Sequence, residues 1–185
     1  MKNTYYDGQI VEKAGLRFRV NAEYDLYTAP PWEECDGHGH GIVSDWTTRA
    51  KKPGECILAS DRSSHLFYDI AESIKIAKRD NWGAKTGTKG EQAARAVNAD
   101  FDYLRRYCAD QWHYIGVIVT QIDENDEPKN PDYSHALWGV ADSDPDYCTE
   151  AANELIDQII AEHDAELKVQ YSLDHIVHAM VQHVQ

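Results

Sequence analysis

The sequence lacks several features that would identify a class of protein directly. No apolar run approaches the roughly 20 residues that a membrane-spanning helix needs, and the first residues have no basic-then-apolar signal layout. The four cysteines lie far apart and form no CxxC pair, which favours free thiols in a reducing compartment. No catalytic motif stands out from the background. These absences lead us to expect a soluble, cytosolic protein without a disulfide framework, more plausibly a binding protein than an enzyme.

Basic residues are nearly absent from one quarter of the chain. Residues 123–166 hold one lysine, Lys129, against 14 Asp and Glu, whereas residues 1–122 hold 16 Lys and Arg against 17 Asp and Glu. The net charge of −14 therefore resides almost entirely in residues 123–166. A localised anionic surface favours a basic partner. Direct binding to nucleic acid or to an anionic membrane is disfavoured, because phosphate binding needs a basic footprint.

The acidic stretch includes a predicted helix near residues 145–166, capped by Asp144 and opened by Pro145. Four of its carboxylates follow one another at spacings of four, four and three residues, so they share one face, and two more repeat the four-residue spacing further on. Like charges at this spacing destabilise a helix slightly, so their accumulation calls for a reason. We predict a partner-binding surface composed of Asp142, Asp144, Asp146, Glu150, Glu154, Asp157, Glu162 and Glu166.

This acidic surface has two interpretations. From Asp142 to Glu166, at about 1.5 Å per helical residue, carboxylates recur about every 4 Å, while one DNA strand presents a phosphate about every 3.4 Å. The first interpretation is therefore that the surface imitates nucleic acid and occupies a basic protein groove. The second is that the acidic face is only solvated.

Hydrophobic periodicity predicts the α+β class. The length of 185 residues and the apolar content of 42% predict a single domain over residues 1–185. We expect a mostly antiparallel sheet of about five to six strands and three to four helices. The strands are predicted as hairpins at 10–20 and 55–68 and as strands at 113–122 and 133–140. The helices are one that Asp69 caps, one with the capping box Thr88 and Glu91, the acidic helix, and a separate terminal helix near 172–184 that begins at Ser172.

A long stretch over residues 25–54 has little periodicity and is predicted to be an irregular loop, held to the core by Trp32 and Trp46. It contains a cluster of residue types that bind zinc or transition metals. The cluster supports an alternative function, a metal-dependent enzyme, although a Gly-rich loop with histidines is also an ordinary loop. The candidate metal ligands are Cys35, His38, His40 and Asp45. No other cofactor is expected.

Four strings carry a resemblance to a known family: DGHGHGIVSDWTTRAKKPGE, ILASDRSSHLFYDIAESIKIAKRDNWG, ARAVNADFDYLRRYCADQWHYIGVIVT and LWGVADSDPDYCTEAANELIDQ. They resemble short uncharacterised proteins encoded in tailed-bacteriophage and prophage genomes, over about residues 30 to 160. The resemblance implies a viral protein made in the cytoplasm of a bacterial host, and it transfers no catalytic residue. Such proteins often bind and disable host machinery.

The combined hypothesis is a non-enzymatic phage protein that inhibits a basic host protein or nucleoprotein complex. The partner would be a nucleic-acid-binding defence complex, and inhibition of the anti-CRISPR or anti-restriction type would act by charge mimicry. A further alternative is a homo-oligomeric structural or regulatory module that associates through the predicted terminal helix, whose apolar residues share one face.

Overall fold

The computed structural model describes residues 7–33, 39–130 and 134–182. Within these ranges the elements in chain order are β1 (Gln9–Lys13), β2 (Leu16–Tyr24), β3 (Ile42–Val43), β4 (Glu55–Asp61), β5 (Ser64–Asp69), α1 (Ile70–Asp80), α2 (Lys89–Cys108), β6 (Tyr114–Ile122), β7 (Ser134–Ala141) and α3 (Pro145–Gln182). The α+β class is confirmed. The described strands number seven and form two antiparallel sheets, so the expectation of one sheet with five to six strands is wrong.

The chain divides into two compact units. We call Met1–Leu26 with Tyr114–Gln185 the acidic unit, because its sequence holds 6 Lys and Arg against 19 Asp and Glu. We call Tyr27–His113 the balanced unit, because its sequence holds 12 Lys and Arg against 13 Asp and Glu. The net charges are therefore −13 and −1. The single domain expected for residues 1–185 stays a prediction.

The acidic unit is a four-stranded antiparallel sheet in the order β1-β2-β6-β7, with α3 packed on one face. The predicted hairpin at 10–20 is confirmed, and its register pairs Lys13 with Leu16 around a turn at Gly15, which has a positive φ. β6 lies between β2 and β7, which confirms the central position predicted from its apolar run. Phe18, Val119 and Ile156 are fully buried where the sheet meets the helix.

Helix α3 runs unbroken for 38 residues, from Pro145 to Gln182. The prediction of two helices, one near 145–166 and another near 172–184, is therefore wrong within the described part of the chain. The physical reason lies in the composition, because no Gly or Pro follows Pro145. Ser172 is the predicted start of the second helix, but without a helix breaker before it the helix continues through that residue.

The balanced unit contains the three-stranded sheet β3-β5-β4 and the helices α1 and α2. Both predicted caps are confirmed: Asp69 accepts a hydrogen bond from the Glu72 N–H at 2.9 Å, and Thr88 and Glu91 form a capping box. Its core joins the hairpin of β4 and β5 to the inner faces of both helices. The fully or nearly fully buried members include Leu66, Tyr68, Ala77, Val97 and Leu104.

The described parts of the stretch over residues 25–54 contain pairing that the prediction of an irregular loop did not include. β3 pairs with the end of β5, and Thr47 forms a bridge with His65. Trp32 packs against the core of the balanced unit, as expected, but Trp46 is half exposed. Gly41 lets the chain pack closely here, because a Cβ at this position would collide with the hydroxyl groups of Tyr68 and Ser73.

Candidate functional site

The acidic stripe of α3 points away from the core of its own unit. The helix residues that pack on the sheet include Ala152, Leu155, Ile156 and Ile159, and they share one side of the helix. At 3.6 residues per turn, the opposite side carries five carboxylates, all exposed. We call these five the acidic stripe: Asp146, Glu150, Glu154, Asp157 and Asp164.

Asp164 is a member of the stripe that the sequence-based prediction omits. It follows Asp157 by seven residues, which is close to two helical turns, so the heptad spacing was a signal that could have found it. Glu162 and Glu166 are predicted members, but they lie about 140° and 180° around the helix from Asp157. The four-residue spacing between them is real, yet it describes the other side of α3.

The density of charge on one face is lower than the sequence count implies. From Asp146 to Asp157 the stripe presents four carboxylates over about 16 Å of helix axis, or one about every 5.5 Å. The value of about 4 Å from the sequence counts carboxylates on both sides of the helix. The stripe is therefore a regular anionic row, but it is more widely spaced than the phosphates of one DNA strand along the duplex axis.

Two predicted residues, Asp142 and Asp144, lie in the exposed turn before α3. Asp144 has a structural task there, because its Oδ1 accepts a hydrogen bond from the Tyr147 N–H at 3.0 Å and its carbonyl accepts one from the Cys148 N–H at 3.0 Å. This arrangement confirms the predicted cap. Asp144 thus contributes to the helix start as well as to the local negative charge.

Two carboxylates of α3 form ion pairs at exposed positions. Lys13 Nζ lies 2.6 Å from Asp157 Oδ1, and both side chains remain largely exposed. His135 Nε2 lies 2.8 Å from Glu162 Oε2, on the side of the helix away from the stripe. Exposed pairs of this kind contribute at most about 1 kcal/mol, because water screens both partners. The stripe keeps most of its negative charge.

The acidic loop between β6 and β7 differs from the stripe, because basic side chains of β2 bind it. Arg17 donates to the Asp123 carbonyl at 2.7 Å and lies 2.8 Å from Asp126 Oδ1, while Arg19 donates to the Asp126 carbonyl at 2.6 Å. Backbone N–H groups of Glu127 and Asn125 donate to the Asp123 carboxylate and lower its pKa. Much of the charge of this loop therefore serves the loop's own structure.

Two of the four predicted metal ligands, His40 and Asp45, lie in the described residues. Cys35 and His38 lie outside the described residues, so their predicted role stays a prediction. Asp45 is exposed, and His40 is partly buried in the balanced unit. Among the described residues, no group of three or more His, Cys, Asp and Glu side chains is placed to hold a metal ion.

His40 belongs instead to a network around Asp100, which sequence reasoning missed. His40 Nδ1 hydrogen-bonds Asp100 Oδ1, while the Tyr68 hydroxyl and the Gly41 N–H donate to Asp100 Oδ2 at 2.7 and 2.8 Å. Burial alone would raise the pKa of Asp100, but these hydrogen bonds outweigh it and lower the pKa. Burial, reinforced by Asp100, raises the pKa of Tyr68. Asp100 stands 60 residues after His40 in the chain, so no local motif pointed to the pair.

Comparison with known proteins adds no relative: no family model, curated protein or solved structure matches the chain. The resemblance to phage-encoded proteins therefore stays a prediction. In the described ranges, no helix is long and apolar enough to cross a membrane.

Proposed function

We propose that the protein is a binding protein whose acidic stripe occupies a Lys- and Arg-lined groove on a basic partner. The single observation that carries the proposal is the position of the stripe. Four evenly spaced carboxylates, Asp146, Glu150, Glu154 and Asp157, line the solvent side of a helix whose opposite side is buried against a sheet. Asp157 pairs with Lys13 at an exposed position, and a pair of this kind contributes little to stability.

The rigidity of the helix supports this proposal. The buried residues Ala152, Leu155, Ile156 and Ile159 fix α3 on its sheet, so the carboxylates alternate with anchored positions along the same turns. A charged row held on a packed helix loses less conformational entropy on binding than one on a loop. The helix therefore presents its anions in a preorganised line, as a nucleic-acid strand presents phosphates.

The partner class follows from the charge. A groove that binds nucleic acid carries Lys and Arg side chains that neutralise phosphates, and the same side chains can bind the carboxylates of an anionic protein. The acidic unit, with its net charge of −13, would be attracted to such a groove over a long range, which raises the association rate at low salt. In keeping with the resemblance to phage-encoded proteins, we take the partner to be a host nucleic-acid-binding protein, such as a defence complex.

The experiment is affinity capture from bacterial lysate at low salt and at roughly 0.5 M salt, where screening shortens to a few ångströms. The native protein is compared with a variant carrying Glu150→Lys, Glu154→Lys and Asp157→Lys. A matched control carries Glu33→Lys, Asp61→Lys and Asp102→Lys, which changes the net charge equally at exposed positions of the balanced unit.

We expect native protein and control to retain the same basic nucleic-acid-binding protein at low salt and to release it at high salt. The stripe variant should not retain it. Equal retention by all three proteins would exclude the stripe as the binding surface. Loss of binding in both variants would indicate a response to net charge alone.

A second candidate function is metal-dependent chemistry in the balanced unit, and the network around His40 favours it. A carboxylate that binds Nδ1 of a histidine fixes the ring and leaves Nε2 to a metal, which is the usual arrangement in metal sites. Cys35 and His38 are the other proposed ligands. Metal analysis of purified protein tests this: we expect a stoichiometric transition metal that His40→Ala removes and His113→Ala retains. Metal-free protein would reject it.

A further inference from the structure

Helix α3 is about twice as long as the sheet that supports it. Its 38 residues span about 57 Å, whereas the nine residues of β6 span about 30 Å. Among the described residues, the helix members of the acidic unit's core end at Ile160. The helix nevertheless continues to Gln182. We call residues 167–182 the distal segment.

The distal segment exposes large apolar residues. Val169 and Leu173 are large apolar residues that are 60% and 51% exposed. In the sequence, Ile176 and Met180 continue from them at spacings of three and four residues. The resulting series 169, 173, 176, 180 is the heptad repeat of a coiled-coil seam. Most of the stability of a helix in a protein comes from the packing of its apolar face, so a partner that covers the seam would stabilise this segment.

The charge of α3 restricts what that partner is. The distal segment holds one Lys and one Asp, Lys168 and Asp174, so its net charge is zero, and it offers no anionic row to a basic protein. Positions 146–166 hold seven carboxylates and no Lys or Arg. A second copy in parallel would place two such acidic stretches side by side. A second copy in antiparallel orientation would place them at opposite ends.

The repeat is self-complementary in the antiparallel orientation. In antiparallel coiled coils each a layer packs against a d layer of the other helix. With position 173 as a and 176 as d, position 173 meets 176 of the second copy, and 169 meets 180. One twofold axis then pairs all four positions, as a closed symmetric dimer requires. At 3.6 residues per turn the acidic stripe lies about 120° around α3 from the seam and on an earlier part of the helix, so it stays exposed.

We propose that the protein forms an antiparallel homodimer through the distal segment of α3, with the seam at positions 169, 173, 176 and 180. This inference does not depend on the proposed function, because it concerns a different part of the helix and needs no other partner. The dimer would carry one acidic stripe at each end. A partner with two basic grooves could then be bound through both stripes with increased avidity.

The test measures the mass of the purified protein by sedimentation equilibrium up to about 200 μM, because an interface this small falls in the weak class below about 1,200 Å². We expect the native protein to approach twice its chain mass of 21.0 kDa. Val169→Glu with Leu173→Glu should restore the monomer. Lys168→Glu is the control, because it changes the charge by the same two units on another side of the helix and should leave the dimer intact.

Orientation is tested by disulfide cross-linking between two proteins of different tag length. Mixing Val169→Cys protein with Met180→Cys protein should give a cross-linked heterodimer, whereas each protein alone should not cross-link beyond the native baseline set by its own four cysteines. A native protein that stays monomeric, or a dimer that survives the double Glu variant, would overturn the proposal. Cross-linking of Val169→Cys protein to itself would overturn the antiparallel arrangement.

Discussion

The two units use their carboxylates differently. In the balanced unit, acidic side chains pair with nearby cations: Arg49 forms a two-point bond with Glu55 at 2.6 and 2.7 Å, and Lys75 lies 2.6 Å from Glu72. In the acidic unit, Asp157 of the stripe on α3 pairs with Lys13, and both side chains remain exposed. The contrast shows which charges serve folding. Glu55 and Glu72 stabilise the balanced unit through these pairs. Glu150 and Glu154 of the stripe instead lie exposed with like charge four residues apart, and we propose that a basic partner binds them.

The largest expected effect tests whether the two units are also separate in stability. Ile156→Ala removes a fully buried side chain from the acidic unit, and Leu104→Ala does the same in the balanced unit. Each should lower the free energy of unfolding by about 2–5 kcal/mol through lost burial and a residual cavity. Amide hydrogen exchange would show where protection is lost. Loss of protection confined to the mutated unit would show that the two units unfold separately, whereas loss in both units would support the predicted single domain.

A second pair of changes tests close packing in each unit. A Cβ on Gly116 would meet the Trp138 ring, with Cζ3 at 2.5 Å, and a Cβ on Gly41 would meet the Ser73 hydroxyl. Gly116→Ala and Gly41→Ala should each destabilise the protein by about 1–3 kcal/mol, because the neighbours must shift. Denaturant unfolding measures both. Gly15→Ala is the control, because no atom lies within 4 Å of an added Cβ there. Any loss of stability in this variant should come only from the positive φ of 75°.

A third prediction concerns acid. The bond to Arg49, with help from the Lys52 N–H, lowers the pKa of Glu55 to about 2. A depressed carboxylate pKa stabilises the fold above the unfolded-state value of about 4.5 and ceases to do so as the pH falls through about 2. Stability measured between these values should decline with acid in the native protein. Glu55→Gln should be less stable at pH 7 and should show a smaller decline.

The smallest effect on stability belongs to the stripe itself. Glu150 and Glu154 stand four residues apart with like charge, so Glu154→Lys should turn a repulsive pair into an attractive one. We expect a gain of about 0.2–0.5 kcal/mol in the free energy of unfolding, measured by denaturant titration. A marked loss would mean that Glu154 has a structural role. That result would remove the basis for assigning the stripe to a partner.

The comparison also shows what sequence reasoning can achieve. The strands around the turn at Gly15 and the helices capped by Asp69 and Thr88 follow from local patterns, and the structure confirms them. Helical periodicity likewise predicts that the four carboxylates from Asp146 to Asp157 share one face of the helix. The spacing between Glu162 and Glu166 does not show which side of α3 they occupy. Only their angle around the helix relative to the buried residues shows it.

Other features depend on contacts between distant residues. The pairing of His40 with Asp100 joins a loop to α2 across 60 residues, and no local pattern encodes it. The division into two sheets likewise depends on which strands pair. β2 pairs with β6, although the whole balanced unit lies between these two strands in the sequence. The continuity of α3 was within reach, because the absence of Gly and Pro after Pro145 is a property of the sequence alone.

The central claim is that the stripe competes with nucleic acid for a basic groove. Its most direct test is a competition titration, in which the captured partner holds a labelled nucleic acid and fluorescence anisotropy follows displacement. We expect the native protein to displace it in a salt-dependent manner. The variant with Glu150→Lys, Glu154→Lys and Asp157→Lys should be at least about 100-fold weaker, which corresponds to about 2.8 kcal/mol. Equal displacement by the native protein and this variant would contradict the account.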